Sequence, residues 1–209
     1  MQNMKVSDAE RNKGRKEFVL LVLVFFVPII IVLVLYFNLD KWEIGGGRNH
    51  GDLIEPARKL QDVTLETLQG EKFIFSNVRD KWLMIEFGKP ACDEQCKQKL
   101  YLMRQIRLAQ GGNRIRIERI YISTGGAPEE SFRDLLEKEH PEMLVVYGDD
   151  AAIGKVIDQF RHDVGKGSVL QAMYLVDPRG FLMMSYPEGY EPKGAIQDFE
   201  RLLKYARSG

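Results

Sequence analysis

The chain has 209 residues, and its 30 basic residues balance its 30 acidic residues to a formal net charge of zero. This balance argues against a nucleic-acid partner, because phosphate backbones select strongly basic surfaces. The two cysteines are too few for a disulfide framework, but they suffice for one bridge, one thiol pair or part of one metal site. Apart from one apolar segment near the N-terminus, the chain has the size of a single domain.

The apolar segment, residues 18–39, contains no charged side chain. About 20 such residues cross the hydrocarbon core of a bilayer, and a membrane helix tolerates the internal Pro28. A cleaved signal peptide would have a shorter apolar region of ~7–15 residues, followed by small residues at the cleavage site. Residues 36–42 offer no such site. We therefore predict an uncleaved, single-pass transmembrane helix.

Basic residues predict the orientation of this helix. Five of them precede it, namely Lys5, Arg11, Lys13, Arg15 and Lys16, whereas only Lys41 and Arg48 follow closely. The positive-inside rule then places a tail, residues 1–17, in the cytoplasm and everything after residue 40 across a bacterial-type inner membrane, in the periplasm. In that oxidising compartment the two cysteines would form a disulfide unless they were reduced or metallated.

A glycine-rich tether, residues 40–51, is predicted to lead into one folded domain, residues 52–209. The predicted strands are 63–68, 72–75, 82–87, 115–123, 143–147, 172–176 and 181–185. The predicted helices are 129–139, 151–160, 194–206 and one that starts near the cysteines and ends before Gly111. Strands that alternate with helices, followed by a hairpin and a last helix, predict an α/β domain of the thioredoxin-like fold, with a central mixed sheet flanked by helices.

Both cysteines, Cys92 and Cys96, follow the apolar strand 82–87 and the strand-breaking Gly88-Lys89-Pro90. Residues four apart lie above one another on a helix, so we expect both sulfurs at one strand-to-helix elbow, residues 88–96. Such an elbow is where α/β sheets bind ligands. The buried face of the following helix is predicted to contain Leu100, Met103, Ile106 and Leu108.

Two functional hypotheses and one structural hypothesis fit the cysteine pair. The pair could cycle between dithiol and disulfide, or it could hold Cu(I), since thiolates are soft ligands. A permanent bridge would close a very short loop and would stabilise the fold by less than the ~3 kcal/mol of a 15-residue loop. That small gain favours a functional pair over a purely structural bridge.

These features together resemble the Sco/SenC family of membrane-anchored, copper-handling proteins that serve cytochrome c oxidase assembly. The likeness rests on the membrane anchor, on residues 81–88 running into Cys92-x-x-x-Cys96, and on residues 173–180, Met-Tyr-Leu-Val-Asp-Pro-Arg-Gly. The resemblance implies a thioredoxin-like fold and copper binding through the two cysteines and a histidine a few residues before the last hairpin.

This sequence departs from the family pattern at the histidine. The stretch 165–171 contains none, and Ser168 or Val169 stands where it would fall. His162 is the nearest candidate for a third ligand. The strand 115–123 also runs into Thr124-Gly125-Gly126, without the aspartate that the family carries there.

The predicted function is therefore work on the copper site of cytochrome c oxidase, by Cu(I) handling through Cys92 and Cys96, by thiol–disulfide exchange, or by both. The alternatives are a periplasmic oxidoreductase without copper and a non-catalytic docking domain with a structural disulfide. Thioredoxin-like reductases carry C-x-x-C and a cis-proline before the strand that here begins at Ala172, and neither is present. An oxidase subunit or another periplasmic thiol protein is the expected partner. His50 and His140 are expected to be solvated, and the methionines of the last hairpin to fill the core.

Overall fold

The computed structural model of the chain describes residues 8–38, 49–161 and 168–205. It consists of two compact units, residues 1–48 and residues 49–209. The first unit is a helix, α1, Asp8–Asn38, which continues through Pro28. Its segment Arg15–Val34 has a mean hydropathy of 3.2 and is long and apolar enough to cross a membrane. The predicted N-terminal apolar helix is thus confirmed, with helical structure that extends beyond the apolar segment on its N-terminal side.

The second unit is built on an eight-stranded mixed sheet in the order β1-β8-β7-β4-β5-β6-β2-β3. Its strands are β1 Asp52–Lys59, β2 Leu65–Thr67, β3 Lys72–Phe73, β4 Trp82–Gly88, β5 Ile117–Ser123, β6 Met143–Tyr147, β7 Met173–Val176 and β8 Phe181–Tyr186. Its helices are α2 Glu94–Ala109, α3 Glu130–Glu139, α4 Asp150–Phe160 and α5 Pro192–Tyr205. The predicted central mixed sheet flanked by helices is confirmed.

Two apolar clusters cover the two faces of the sheet. One cluster joins the buried side of α4, including Val156 and Phe160, to alternate residues of the central strands. The other joins α2, α3 and α5 to the opposite face, with Leu100, Phe132 and Phe199 fully or almost fully buried. Burial of large apolar side chains on both faces explains why the central strands read as continuous apolar runs in the sequence.

Strand β4 occupies the centre of the sheet and positions the elbow. It pairs in parallel with β5, in a register that sets Gly88 opposite Ser123, and antiparallel with β7. The carboxyl ends of β4 and β5 therefore lie at the same edge of the sheet. The prediction that these two strands are parallel neighbours, with the cysteines at their carboxyl end, is confirmed.

Several local expectations were wrong. Strand β1 was not predicted, because this edge strand buries only Ile54 fully and so lacks an alternating pattern. Leu108 is 43% exposed and Ile115 is 71% exposed, since α2 and the 3-10 helix after it, Gly111–Arg116, present them to solvent. His140 is buried, because it caps the end of α3 beside the buried Arg119.

Candidate functional site

The two cysteines lie at the elbow and are joined by a disulfide, with their Cα atoms 5.2 Å apart. Asp93 caps α2, since its side chain accepts a hydrogen bond from the backbone N–H of Cys96 at 2.9 Å. This is the usual role of an aspartate at a helix N-cap. Both cysteines are half-buried against the apolar cluster under α2. The structure therefore brings together the pair that the sequence singled out.

Hydrogen bonds from the carboxyl end of β5 and from the segment after it hold the backbone of the elbow in place. Its first three carbonyl groups, at residues 88–90, each accept a hydrogen bond from the segment that ends β5 and begins α3. The first accepts from the N–H and Oγ1 of Thr124 at 2.7 and 3.0 Å, and the second from the hydroxyl of Tyr121 at 2.8 Å. The third accepts from the N–H of Glu129 at 3.0 Å. The disulfide thus stands on a rigid loop, and Thr124 anchors the elbow near the position where the family pattern has an aspartate.

A cavity of about 280 Å³ adjoins the disulfide on the side of Cys96. Its walls include Leu170 and Gln171 from the segment before β7, and Glu188 from the loop after β8. The floor includes Glu86 of β4. A partner side chain that enters this cavity meets one sulfur of the bridge and one buried carboxylate.

The carboxylate of Glu86 is 4% exposed and lies 2.8 Å from the ammonium of Lys99, which reaches it from α2. The angles of this ion pair fall short of a well-directed hydrogen bond. Lys99 also donates to the carbonyl of Gln171 at 3.2 Å. Burial raises the pKa of Glu86 to about 7, against the opposing effect of Lys99. A carboxylate that titrates near neutrality beside a disulfide can exchange protons with thiols.

The raised pKa of Glu86 predicts a pH-dependent stability. The folded state binds a proton at Glu86 more tightly than the unfolded state, so this residue's contribution to the free energy of unfolding falls as pH rises from about 4.5 to about 7. The expected fall is about 3 kcal/mol. Denaturant titrations at pH 4.5 and pH 8 should show that Glu86→Gln lacks this decline. Glu188→Gln, which alters an exposed carboxylate of the same cavity, should retain the decline. Equal declines in wild type and Glu86→Gln would show that the pH dependence does not come from Glu86.

The candidate third ligand, His162, lies outside the described residues. The two residues at the position of the family histidine have structural contacts instead. Ser168 caps a short 3-10 helix, Val169–Gln171, and the carbonyl of Val169 accepts from the hydroxyl of Tyr174 at 3.1 Å. Within residues 8–38, 49–161 and 168–205, no group of three or more His, Cys, Asp or Glu side chains could hold a metal ion. The soft metal donors that the described part offers at the elbow are the two sulfurs, once they are reduced.

Other side chains named from the sequence lie apart from the cavity. Met173 and Met184 are buried in the core, as expected. His50, expected to be solvated, is 43% exposed and contacts the buried Asp198 of α5 at 3.1 Å. The sequence analysis missed Glu86 as a site residue. Its signal was present, because Glu86 is the one charged residue within the apolar run 82–87.

The fold and this site define the class of the protein: a thioredoxin-like domain with a two-cysteine elbow at the end of its central strand. The profile of the family described as "Transmembrane-like, thioredoxin-like, C-terminal domain" matches residues 82–206, which is more than half of the chain. The chain belongs to this family. No curated protein matches the sequence significantly.

Solved structures of Sco proteins are similar to this chain. Yeast Sco1 with copper bound aligns at a TM-score of 0.61 and 20% identity, over 74% of this chain and 97% of that one. Bradyrhizobium japonicum ScoI with copper bound aligns at 0.55 and 21% identity, over 69% and 99%. The thioredoxin domain of a Bacteroides vulgatus thiol-disulfide oxidoreductase aligns at 0.53 and 16% identity, over 70% and 96%. These likenesses establish the shared fold, and the predicted resemblance to Sco/SenC proteins is confirmed at that level.

Proposed function

We propose that this chain is a membrane-anchored thiol–disulfide exchange protein whose redox centre is Cys92–Cys96. One observation carries the proposal: the bridge lies at a rigid elbow beside a cavity whose floor holds Glu86, with a pKa of about 7. A purely structural bridge needs neither an adjoining cavity nor a proton acceptor. The similarity to a thiol-disulfide oxidoreductase domain supports the same proposed function.

The proposed exchange proceeds in two steps. A thiolate of the partner attacks one sulfur of the bridge, the Cys92–Cys96 bond breaks, and a mixed disulfide forms while the released cysteine takes up a proton. A second partner thiolate then attacks the mixed disulfide, and the other cysteine leaves and is protonated. The partner gains a disulfide, and this chain gains two electrons and two protons as a dithiol. Glu86, which lines the cavity beside Cys96, is the group proposed to hold or deliver a proton during these steps.

Carrying Cu(I) is the second function that we propose. The Sco proteins of yeast and Bradyrhizobium japonicum have solved structures with copper bound. Once reduced, Cys92 and Cys96 would supply two soft thiolates within one helical turn, which suits Cu(I). Cu(II), which favours nitrogen and oxygen donors, lacks the family histidine. We propose that the reduced pair carries Cu(I) for the copper site of cytochrome c oxidase.

The membrane arrangement belongs to the same proposal. Residues 18–39 would cross a bacterial-type inner membrane, with residues 1–17 in the cytoplasm and the tether, 40–51, leading to a periplasmic domain, 52–209. The partner would then be an oxidase subunit or another periplasmic thiol protein. A protease applied to sealed inverted and right-side-out vesicles tests the orientation, because only right-side-out vesicles should expose the folded domain.

The redox proposal is tested by equilibrating the full chain in detergent with thiol buffers of known potential. We expect a midpoint at about −200 to −270 mV, where known exchange proteins work. Cys92→Ser and Cys96→Ser should each abolish two-electron exchange with a model dithiol, because neither can form the bridge. Lys97→Ser, an exposed neighbour on the same helix turn, serves as the control and should keep full exchange. A midpoint below about −300 mV is typical of structural disulfides and would favour the docking-domain alternative.

A further inference from the structure

We infer that Tyr121 is a positioning residue of the redox pair: its hydroxyl gives Cys96 a hydrogen-bond partner that only the reduced state can use. Tyr121 therefore favours the dithiol over the disulfide. This inference rests on the proposed function, in which the Cys92–Cys96 bridge opens and closes. Tyr121 was not singled out in the sequence, since it lies 25 residues beyond Cys96.

A hydrogen bond and ring packing hold the hydroxyl of Tyr121 against the elbow. Its oxygen lies 2.8 Å from the carbonyl of Lys89, to which it donates, and 3.8 Å from Sγ of Cys96. The tyrosine is 1% exposed. Its ring packs edge-on against Phe132 of α3, with the ring centroids 5.1 Å apart. The hydroxyl group is therefore fixed in place before any thiol forms.

Glycine at position 88 is what makes room for this hydroxyl. A Cβ atom at residue 88 would lie 2.7 Å from Cζ and 2.9 Å from Cε2 of Tyr121, and it would overlap the hydroxyl oxygen itself. Any other residue at the end of β4 would clash with the tyrosine and displace its hydroxyl from this position. Gly88 and Tyr121, which lie two register positions apart on the paired strands β4 and β5, thus act as a matched pair that places one oxygen beside Cys96.

The contact distinguishes the two redox states because a disulfide sulfur carries no proton and accepts hydrogen bonds weakly. In the oxidised protein the tyrosine proton is donated to the Lys89 carbonyl. After reduction, a Cys96 thiol can donate to the tyrosine oxygen, and a Cys96 thiolate can accept from the tyrosine O–H. A Cys96 thiol gains this bond while Tyr121 keeps its own bond to the Lys89 carbonyl. A thiolate instead exchanges the bond to the carbonyl for a charge-assisted one, which is stronger. In both protonation states the contact favours the dithiol.

The test measures the dithiol–disulfide equilibrium of full-chain Tyr121→Phe in detergent, using dithiothreitol buffers and a thiol-alkylation mass shift. The variant keeps the ring and removes only the hydroxyl. One modest hydrogen bond corresponds to about a three- to tenfold change in an equilibrium constant. We expect the equilibrium of the variant to change by this factor toward the disulfide. Its midpoint potential would then be about 15 to 30 mV more negative, at 29.6 mV per tenfold change.

Two further variants separate this effect from general disturbance of the core. Tyr190→Phe removes another hydroxyl, from a half-buried tyrosine, that contacts a sulfur, Sδ of Met173 at 3.6 Å, and it should leave the equilibrium unchanged. Gly88→Ala keeps the hydroxyl but displaces it, and should shift the equilibrium in the same direction as Tyr121→Phe. Thermal unfolding of each variant reports whether the fold persists.

An unchanged equilibrium in Tyr121→Phe, or a shift toward the dithiol, would overturn the inference. The same shift in Tyr190→Phe would also overturn it, because the effect would then belong to core packing. Dithiothreitol reduces structural bridges as well as exchange-active ones, so the Tyr121 effect is measured even if the wild-type midpoint is too low for exchange. A low wild-type midpoint refutes the proposed function, whereas an absent variant shift refutes the role of Tyr121.

Discussion

Full-length protein, reduced and held in detergent under anaerobic conditions, is expected to bind one Cu(I) per chain, and the Cys92→Ser/Cys96→Ser double variant is expected to bind none. The reason is the donor set at the elbow. Two thiolates within one helical turn satisfy a soft ion that accepts low coordination numbers. Cu(II) binding should be weak or absent, because no described histidine joins the two sulfurs in a group of three metal-binding side chains. A competition titration against a chromogenic Cu(I) chelator measures both the stoichiometry and the affinity.

His162→Ala supplies the sharpest comparison within this titration, because His162 is the nearest histidine in sequence to the family position. We expect it to change Cu(I) affinity little, as should the matched control His140→Ala, whose side chain is buried beside Arg119. Loss of Cu(I) binding in His162→Ala alone would add a third ligand to the site. Wild-type binding no stronger than that of the double variant would exclude copper as cargo and leave thiol exchange as the proposed function.

Asp198→Ala is expected to lower the free energy of unfolding of the domain by about 4 kcal/mol. The carboxylate of Asp198 is fully buried, and it accepts hydrogen bonds from the N–H groups of His50 and Gly51 at 2.7 and 3.0 Å. It also accepts from the hydroxyl of Tyr186 at 3.1 Å. Truncation leaves the buried donors of Gly51 and Tyr186 and the half-buried N–H of His50 without their acceptor, at about 1–3 kcal/mol for each buried donor. The start of the domain would then lose its attachment to α5.

Denaturant titration followed by Trp82 fluorescence measures this loss, with Trp42→Phe in every variant so that one fluorophore remains. Asp158→Ala is the matched control, since Asp158 is 68% exposed and pairs on the surface with Arg161, three residues further along the chain. Such a pair contributes about 0–1 kcal/mol. If Asp198→Ala destabilises the domain no more than Asp158→Ala does, the hydrogen bonds to residues 50 and 51 do not hold the domain together.

Much of the fold could be predicted because it depends on local patterns. Strand β6 was predicted at its observed bounds, and β4, α3 and α4 to within one residue at each end. These elements carry strong apolar periodicity and clear caps, such as Asp149, whose side chain accepts from the N–H of Ala152. Strand β1 and the solvent-facing Leu108 were mispredicted, because the exposure of an edge strand or a helix face depends on what packs over it.

The sequence alone determined the N-terminal apolar helix, the element order and the position of the cysteine pair, since each of these follows from residues close together in the chain. Only the tertiary structure decided what surrounds the pair. Lys99 reaches Glu86 from α2, and Tyr121 reaches Cys96 from β5. Asp198 binds residues almost 150 positions earlier in the chain. A lone acidic residue in an apolar run indicates burial, but its partner and its pKa depend on which side chains the sheet and helices bring to it. That arrangement depends on the exact register of β4 with β5 and on the packing of α2 across them, which no local pattern encodes.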